Sequence, residues 1–278
     1  MQRLTFGSIT VDAVIDGELG APLASMLPTA DLVRFAAIGG VDSATGLATL
    51  PLTTFVIRSA GKLALVDTGI GPDLGSLGGA GFSGAVGHLP GALRGAGIAP
   101  GDVDFVVFTH LHADHIGWNV TIDGDGAKVT FPNARYIVHR PEWAFWSGTK
   151  SKDISRLMRP VEANGQLDVV DDGFEPLPGV TLLSTPGHTA GHVSVLVAGG
   201  GAGGVITGDA AHHPGELEEP TIAAVFDADP ALAVASRIAL VKRIEAEGLT
   251  VMGGHFPAPS TGQVVRVEAR RTWRWLGA

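Results

Sequence analysis

The run His110-Leu-His112-Ala-Asp114-His115 restricts what this chain can become more than any other part of it. It follows Val103 to Phe108, an apolar stretch rich in β-branched and aromatic residues that reads as a buried strand ending in a polar loop. His110 and His112 are two residues apart, so in an extended or tightly turned backbone their imidazoles point the same way and can share one cation. Asp114 and His115 stand one turn further on, at the start of a predicted short helix, and face a second position nearby. A lone histidine is ordinarily a surface residue or a hydrogen-bonded core residue. Four metal-capable side chains in six positions are different, because crowding them without a cation leaves like charges and unpaired nitrogens.

The 278 residues, 45% of them apolar, suffice for one large core, so a single domain over 1–278 is expected, carrying an apolar insert at about 17–49. The net charge of −9 argues against a nucleic-acid partner, since phosphate binding needs a basic surface. Arg266, Arg270, Arg271 and Arg274 form the one basic cluster and read as a solvated helix face. The absence of cysteine excludes disulfides and thiolate metal sites together, so nitrogen and oxygen must hold any metal. The N-terminus has no apolar stretch of signal-peptide length and no segment reaches the ~18 apolar residues of a membrane span. A cytoplasmic chain with no membrane partner is the expectation.

Ile9 to Ile15 alternates as a strand, and Leu52 to Arg58 with Lys62 to Val66 reads as a hairpin through Ser-Ala-Gly. The insert between them carries Leu23, Met26, Leu27, Leu32, Val33, Phe35 and Ile38. So long and apolar a loop should hold a short helix that roofs a pocket, meets a second subunit in a homodimer, or folds back onto the core. Asp67 ends a buried strand, needs a partner in the histidine loop, and is assigned a supporting role. The glycine-dense Gly69 to Gly87 suits a mobile loop at a pocket mouth. Leu89 to Ile98 is a predicted amphipathic helix, and Asp123-Gly-Asp-Gly126 lacks the further carboxylates of a calcium loop and reads as a hairpin turn. Ala134 to His139 is a predicted strand, followed by a helix opened by Pro141. Trp143 and Trp146 share one face of it and are read as core, and His139 as structural. Val180 to Ser184, Val193 to Val197 and Val205 to Gly208 are further strands, and Pro230 to Ala246 is a long helix.

His-x-His-x-Asp-His after a strand, followed by Thr185-Pro-Gly-His188, Gly208-Asp209 and Gly253-Gly-His255, resembles the signature of the metallo-β-lactamase fold superfamily from about Thr54 to His255. That resemblance implies an α+β fold, a four-layer αβ/βα sandwich of two mixed sheets flanked by helices, with the cleft along one sheet edge. It implies two divalent metal ions, zinc first, with iron, manganese or cobalt able to occupy the same set. His110, His112 and His188 would hold one, Asp114, His115 and His255 the other, and Asp209 would be shared. His192 is expected to anchor backbone, since a fourth protein ligand would close the open position that catalysis needs.

Two cations about 3.5–4 Å apart would hold a water between them and lower its pKa to about 7, which implies hydrolysis by a bridging hydroxide, with Asp114 and Asp209 in the catalytic set. The chain is most similar to the branch containing the quorum-quenching N-acyl homoserine lactonases and methyl parathion hydrolase, by its ligand set, Gly208-Asp209-Ala-Ala-His212 and Phe226-Asp-Ala-Asp229. Lactonases of this branch commonly carry a tyrosine three residues after the bridging aspartate. Here that position is His212, which could donate to the substrate oxygen, shuttle a proton or cap the loop. The expected substrate is a small, apolar lactone or related ester, with organophosphate triesters second. A thioesterase of the glyoxalase II type would want a basic patch that the sequence lacks. A non-catalytic metal- or ligand-binding module of the same fold is disfavoured by the complete ligand set.

Overall fold

The computed structural model describes residues 3–72, 83–84, 87–123 and 126–277. The first sheet begins with β1 (Arg3–Phe6), β2 (Ile9–Pro22), β3 (Leu47–Ser59), β4 (Lys62–Val66) and the short β5 (Ser83–Gly84), which pairs with β2. It continues in parallel through β6 (Phe105–Val107) to two strands described below, and the hairpin β7 (Val120–Asp123) and β8 (Gly126–Val129) stands apart. Next come β9 (Arg135–His139) and β10 (Leu167–Val170), which complete the order β1-β2-β3-β4-β6-β9-β10. The second sheet runs β11 (Val180–Ser184), β12 (Val193–Gly199), β13 (Ala202–Ile206), β14 (Thr250–Met252), β15 (Thr261–Val267) and β16 (Arg270–Trp275), in sequence order. Its one parallel pair is β13 with β14.

Strand alternation decides the layers. Phe55, Ile57, Ala64, Val66, Val107 and Ile137 point from the first sheet toward Leu182, Val193, Val195, Ile206 and Met252 of the second, filling the space between sheets. The residues between them in sequence, Val56, Leu65, Val106, Tyr136 and Val138, point the other way. There they meet Leu89 and Leu93 of the helix Leu89–Gly95, and Ile154, Leu157, Met158 and Val161. Strands buried on both faces must be apolar at every position, and this is why these segments read as continuous rather than alternating runs. Val205 and Val251 cover the second sheet's outer face against the long C-terminal helix. The result is helix, sheet, sheet, helix, the expected four-layer α+β sandwich.

The helices are α1 (Leu23–Met26), α2 (Leu32–Ile38), α3 (Leu89–Gly95), α4 (Ala113–Ile116), α5 (Arg140–Ser147), α6 (Arg159–Ala163), α7 (Pro214–Glu218) and α8 (Pro230–Glu247). The insert resolves one open expectation. Its apolar residues Leu23, Met26, Leu27 and Phe35 are buried on the protein's own core with Ile222 and Ala224, while Leu32, Val33 and Leu47 stay exposed. Both ends of the insert are strand, because β2 and β3 extend their pairing as far as Pro22 and Leu47.

One reading, that of the C-terminal basic cluster as a helix face, is corrected. The C-terminal arginines lie on β15 and β16, where Val264 and Trp273 are buried and the β-branched alternation outweighs the charge run. Arg266 and Arg271 both bind Glu245 of α8. Trp146 packs against the core, as expected, but its ring also stands edge-on to His112 with centroids 5.8 Å apart. Most of the loop read at Gly69 to Gly87 lies outside the described residues, as do the central two residues of the Asp123–Gly126 turn, whose ends pair as a hairpin. No helix among the described residues is long and apolar enough to cross a membrane.

Gly117 holds the histidine loop against the segment after Asp67: its N–H donates to Gly69 O at 2.7 Å, and an added Cβ would sit 1.9 Å from the Ile70 carbonyl carbon. Because the obstacle is backbone, it cannot rotate away. Gly117→Ala is expected to destabilise the fold by about 1–3 kcal/mol, measured as a shift of the urea midpoint at constant slope.

Candidate functional site

The site forms where strand ends of both sheets meet. β6 delivers His110 and His112, and α4 carries Asp114 and His115. The turn after β11 carries His188, the turn after β13 carries Asp209, and the loop after β14 carries His255. Close backbone approaches shape these loops. Gly187 adopts φ +128°, and a Cβ there would lie 2.1 Å from the Ala233 backbone nitrogen. Gly208, at φ +52°, has the His192 ring and Thr109 in the place a side chain would need.

The seven side chains singled out in the sequence converge. His112 Nδ1 lies 3.0 Å from both His110 Nε2 and His188 Nε2. On the other side, Asp114 Oδ2 lies 3.7 Å from His115 Nε2 and 3.6 Å from His255 Nε2. Asp209 stands between the two groups. Its Oδ2 is 3.4 Å from His188 Nε2 and 3.8 Å from His110 Nε2, whereas its Oδ1 is 3.3 Å from His115 Nε2 and 3.2 Å from His255 Nε2.

The far side of each ring fixes what its near side offers. His115 Nδ1 lies 2.8 Å from Asp67 Oδ2, His188 Nδ1 3.1 Å from Asp227 Oδ1, and His255 Nδ1 3.0 Å from Pro51 O. A proton held on Nδ1 leaves the Nε2 lone pair aimed into the site. His115 Nε2 and Asp209 Oδ1 are buried there with no hydrogen-bond partner. Lone pairs that face one another and buried acceptors without donors are the condition a cation relieves, and the all-nitrogen-and-oxygen donor set suits a borderline divalent ion.

Asp67 anchors the loop, as its position suggested: in the left-handed region at φ +61°, it also accepts from Thr109 N and Thr109 Oγ1 at 2.8 Å each. His192 accepts the Asp209 N–H on Nε2 at 2.9 Å, while its Nδ1 lies 3.1 Å from Thr185 O. It thus holds the Asp209 backbone and stays outside the converging set. His139 is structural, with Nδ1 2.9 Å from Gly191 O. His212 is buried with both ring nitrogens unpartnered, Nε2 3.4 Å from Asp209 Oδ2 and Nδ1 3.6 Å from Glu216 Oε2.

Sequence reasoning missed Glu142, Asp227 and Glu216. Glu142 is buried and accepts from Leu111 N, Trp146 Nε1, Thr189 Oγ1 and Gly191 N at 2.7–3.0 Å, so one carboxylate ties the loop of His110 and His112 to the loop of His188. No local pattern marks it, because its partners lie up to 49 residues away. Asp227 stood inside the quoted Phe226-Asp-Ala-Asp229 segment, where only its pairing with His188 reveals a role.

Burial sets the electrostatics and neighbours modify it. Burial alone would lower His115, yet Asp209, Asp114 and Asp67 raise it well above 6.5. Burial likewise opposes protonation of His212, but Glu216 and Asp209 lift it to about 10. Burial, then the charge of His115, drives His110 well below its ordinary value, and burial with His188 takes His112 to about 3. Burial would raise Asp209, but His255, His115 and His110 hold it well below the usual carboxylate range. Beside the cluster opens a cleft of about 390 Å³ lined by His112, Phe145, Trp146, His188, Phe226 and Leu232 among others, with no lysine or arginine in its lining among the described residues.

Residues 49–255 match the metallo-beta-lactamase superfamily, and the chain belongs to it. It is 33% identical over 147 residues to an N-acyl homoserine lactonase of a Bacillus species, covering 52% of this chain and 54% of that protein. To the N-acyl homoserine lactonase AiiA of Bacillus thuringiensis subsp. kurstaki it is 30% identical over 164 residues, 59% of this chain and 60% of that one. The chain thus spans a little over half the length of the curated relatives it matches. In structure it is similar to the hydrolase AbOPH of the beta lactamase superfamily, with TM-score 0.82 at 23% identity over 98% of this chain and 95% of that one. It also resembles AidC, a dizinc quorum-quenching lactonase, with TM-score 0.80 at 20% identity over 98% and 96%. At such identities the likeness is one of fold.

The opposed shifts predict a stability profile for chelator-treated protein. His115 and His212, raised in the fold, contribute stability that is complete below about pH 6.5 and is lost as pH climbs through their raised values, about 10 for His212. His110 and His112, depressed, contribute stability that is complete above about pH 6.5 and is lost as pH falls through their depressed values, about 3 for His112. Melting temperature should therefore peak near neutrality and fall on both sides. Added zinc should raise it more at about pH 8.5 than at about pH 6, where protons compete for the nitrogens. Scanning fluorimetry across pH, with and without zinc, measures this; equal zinc stabilisation at both values would contradict it.

Proposed function

We propose that this chain is a metal-dependent hydrolase that opens a lactone, of the N-acyl homoserine type named for its relatives, or a related apolar ester, and that organophosphate triesters are its second substrate class. The observation that carries the reading is Asp209, whose two oxygens face two separate groups of ring nitrogens. His110, His112 and His188 would hold one divalent cation, zinc first, and Asp114, His115 and His255 a second, with Asp209 shared between them. When bound, such a pair supplies Lewis-acid polarisation of the substrate oxygen and a water acidic enough to ionise near neutral pH.

The chain's own groups do the rest. Phe145, Trp146, Phe226 and Leu232 offer an apolar bed for an acyl arm or aryl group and keep water from the reacting centre. The basic side chains that would recognise an anionic tripeptide thioester are missing from that lining among the described residues. His212, its ring centroid 4.7 Å from that of Phe226 and its Nε2 beside Asp209, stands where a proton can pass to the leaving oxygen. Asp67, Asp227 and the Pro51 carbonyl hold the outward Nδ1 atoms of His115, His188 and His255, so the inward Nε2 atoms stay oriented as donors of electron pairs, and Asp114 and Asp209 would add carboxylate oxygens beside them.

Protein loaded with zinc or cobalt should hydrolyse N-acyl homoserine lactones, with aryl esters and paraoxon-type triesters as slower substrates. No turnover of any of the three would sink the substrate claim. Asp209→Asn should stay folded by circular dichroism and lose more of kcat than the roughly 10–100-fold that outer partners of a metal site cost. Phe145→Ala, which removes an exposed cleft wall, is expected to raise KM for long-acyl lactones roughly 10-fold at nearly constant kcat, because that contact is equal in ground and transition states.

A further inference from the structure

One buried cation lies behind the site. Arg237 of α8 is fully buried, and its guanidinium reaches the turn after β13, helix α7 and the loop between α7 and α8 at once. Nε donates to Ala210 O at 2.5 Å, the carbonyl next in sequence to Asp209, and Nη1 donates to Ile222 O. Nη2 lies 3.2 Å from Glu216 Oε1 and 3.9 Å from Asp227 Oδ2. Each of these carboxylates addresses a different histidine. Asp227 Oδ1 lies 3.1 Å from His188 Nδ1, and its Oδ2 accepts from Ala224 N at 3.1 Å. Glu216 Oε2 accepts from the backbone N–H groups of His212 and His213 at 2.7 and 3.0 Å and lies 3.6 Å from the His212 ring.

We infer that Arg237 is a positioning residue: a single planar guanidinium, out of reach of any substrate, sets the directions of His188, His212 and the Asp209 loop relative to one another. Two carboxylates buried side by side repel, and without a cation between them neither would keep its place. A guanidinium fits because its donors diverge in one plane, two engaging carbonyls while a third faces carboxylates. An ammonium is a compact charge on a flexible stem and cannot hold that spread. The helix that covers the second sheet and lends Leu232 to the cleft thereby also sets the directions of the site's side chains. The inference rests on the functional reading above, in which His188 faces a cation and His212 the leaving oxygen.

The test compares Arg237→Lys with the wild type in the full chain. Its readouts are fold by circular dichroism and urea unfolding, cobalt(II) affinity by competition with a chelator, the visible absorption spectrum of the cobalt-loaded protein, and kcat and KM. The lysine variant should fold, bind cobalt about 10–100-fold more weakly, show a changed cobalt spectrum, and lose kcat with KM little altered. A folded lysine variant with wild-type cobalt affinity, spectrum and kcat overturns the inference. Should that variant not fold, Asp227→Asn and Glu216→Gln read the two arms separately. The first is expected to weaken cobalt binding through His188, the second to lower kcat at unchanged cobalt affinity, and wild-type behaviour of both overturns it. Wild-type protein that takes up cobalt but turns over no substrate would defeat the proposed function while the spectral comparison still decides on Arg237. Wild-type protein that takes up no cobalt defeats both.

Discussion

The structure turns on the repulsion stored where ring nitrogens and carboxylates are pressed together. His112 Nδ1 faces two further ring nitrogens at 3.0 Å, and an acceptor oxygen of Asp209 is buried without a donor. Neither arrangement is stable by itself in a water-poor interior. Burial depresses His112 while Asp209, Asp114 and Asp67 raise His115 only a few ångströms away. Divalent cations would relieve the repulsion, since one ion answers several lone pairs at once. The surrounding fold can be understood as the apparatus that keeps this crowding from relaxing.

That apparatus is spread over the whole chain. The outward nitrogens of His115, His188 and His255 are held by Asp67, Asp227 and the carbonyl of Pro51, from three distant segments. Glu142 joins the loops of the two sheets, and His192 holds the backbone of Asp209. Packing two sheets face to face puts the ends of β6, β11, β13 and β14 on one edge, so loops far apart in sequence share one cleft. The apolar core between the sheets therefore acts on the site directly, since sliding one sheet over the other would pull His188 and Asp209 away from His110.

The cleft adds selectivity of a simple kind. Its aromatic and aliphatic walls adjoin the nitrogen cluster and, among the described residues, bring no fixed charge of their own beyond Asp229, whose side chain accepts from Leu232 N at the start of α8. Under the proposed function such a lining would sort substrates by apolar bulk rather than by charge, which suits neutral esters better than anionic ones. The insert between β2 and β3 supports this wall from behind, because its core includes Ile222 and Ala224 and packs against Phe226.

Read alone, the sequence was sufficient for the strand-loop motif, the four-layer architecture through its family resemblance, and the identity of the side chains that converge. Those signals are local or short in period: imidazoles two apart, a glycine before a turn, apolar runs that end at polar residues. It misplaced the C-terminal arginines, because a charge run is equally compatible with a helix face and with a strand whose alternate residues are buried. It left the insert open among three fates, because an apolar segment does not announce which surface covers it. It was silent on Glu142, Glu216, Asp227 and Arg237, whose roles depend on contacts across 15 to 49 residues that join separate elements. A buried charge is legible only from its partners, and partners separated by a whole layer of the fold are decided by tertiary packing.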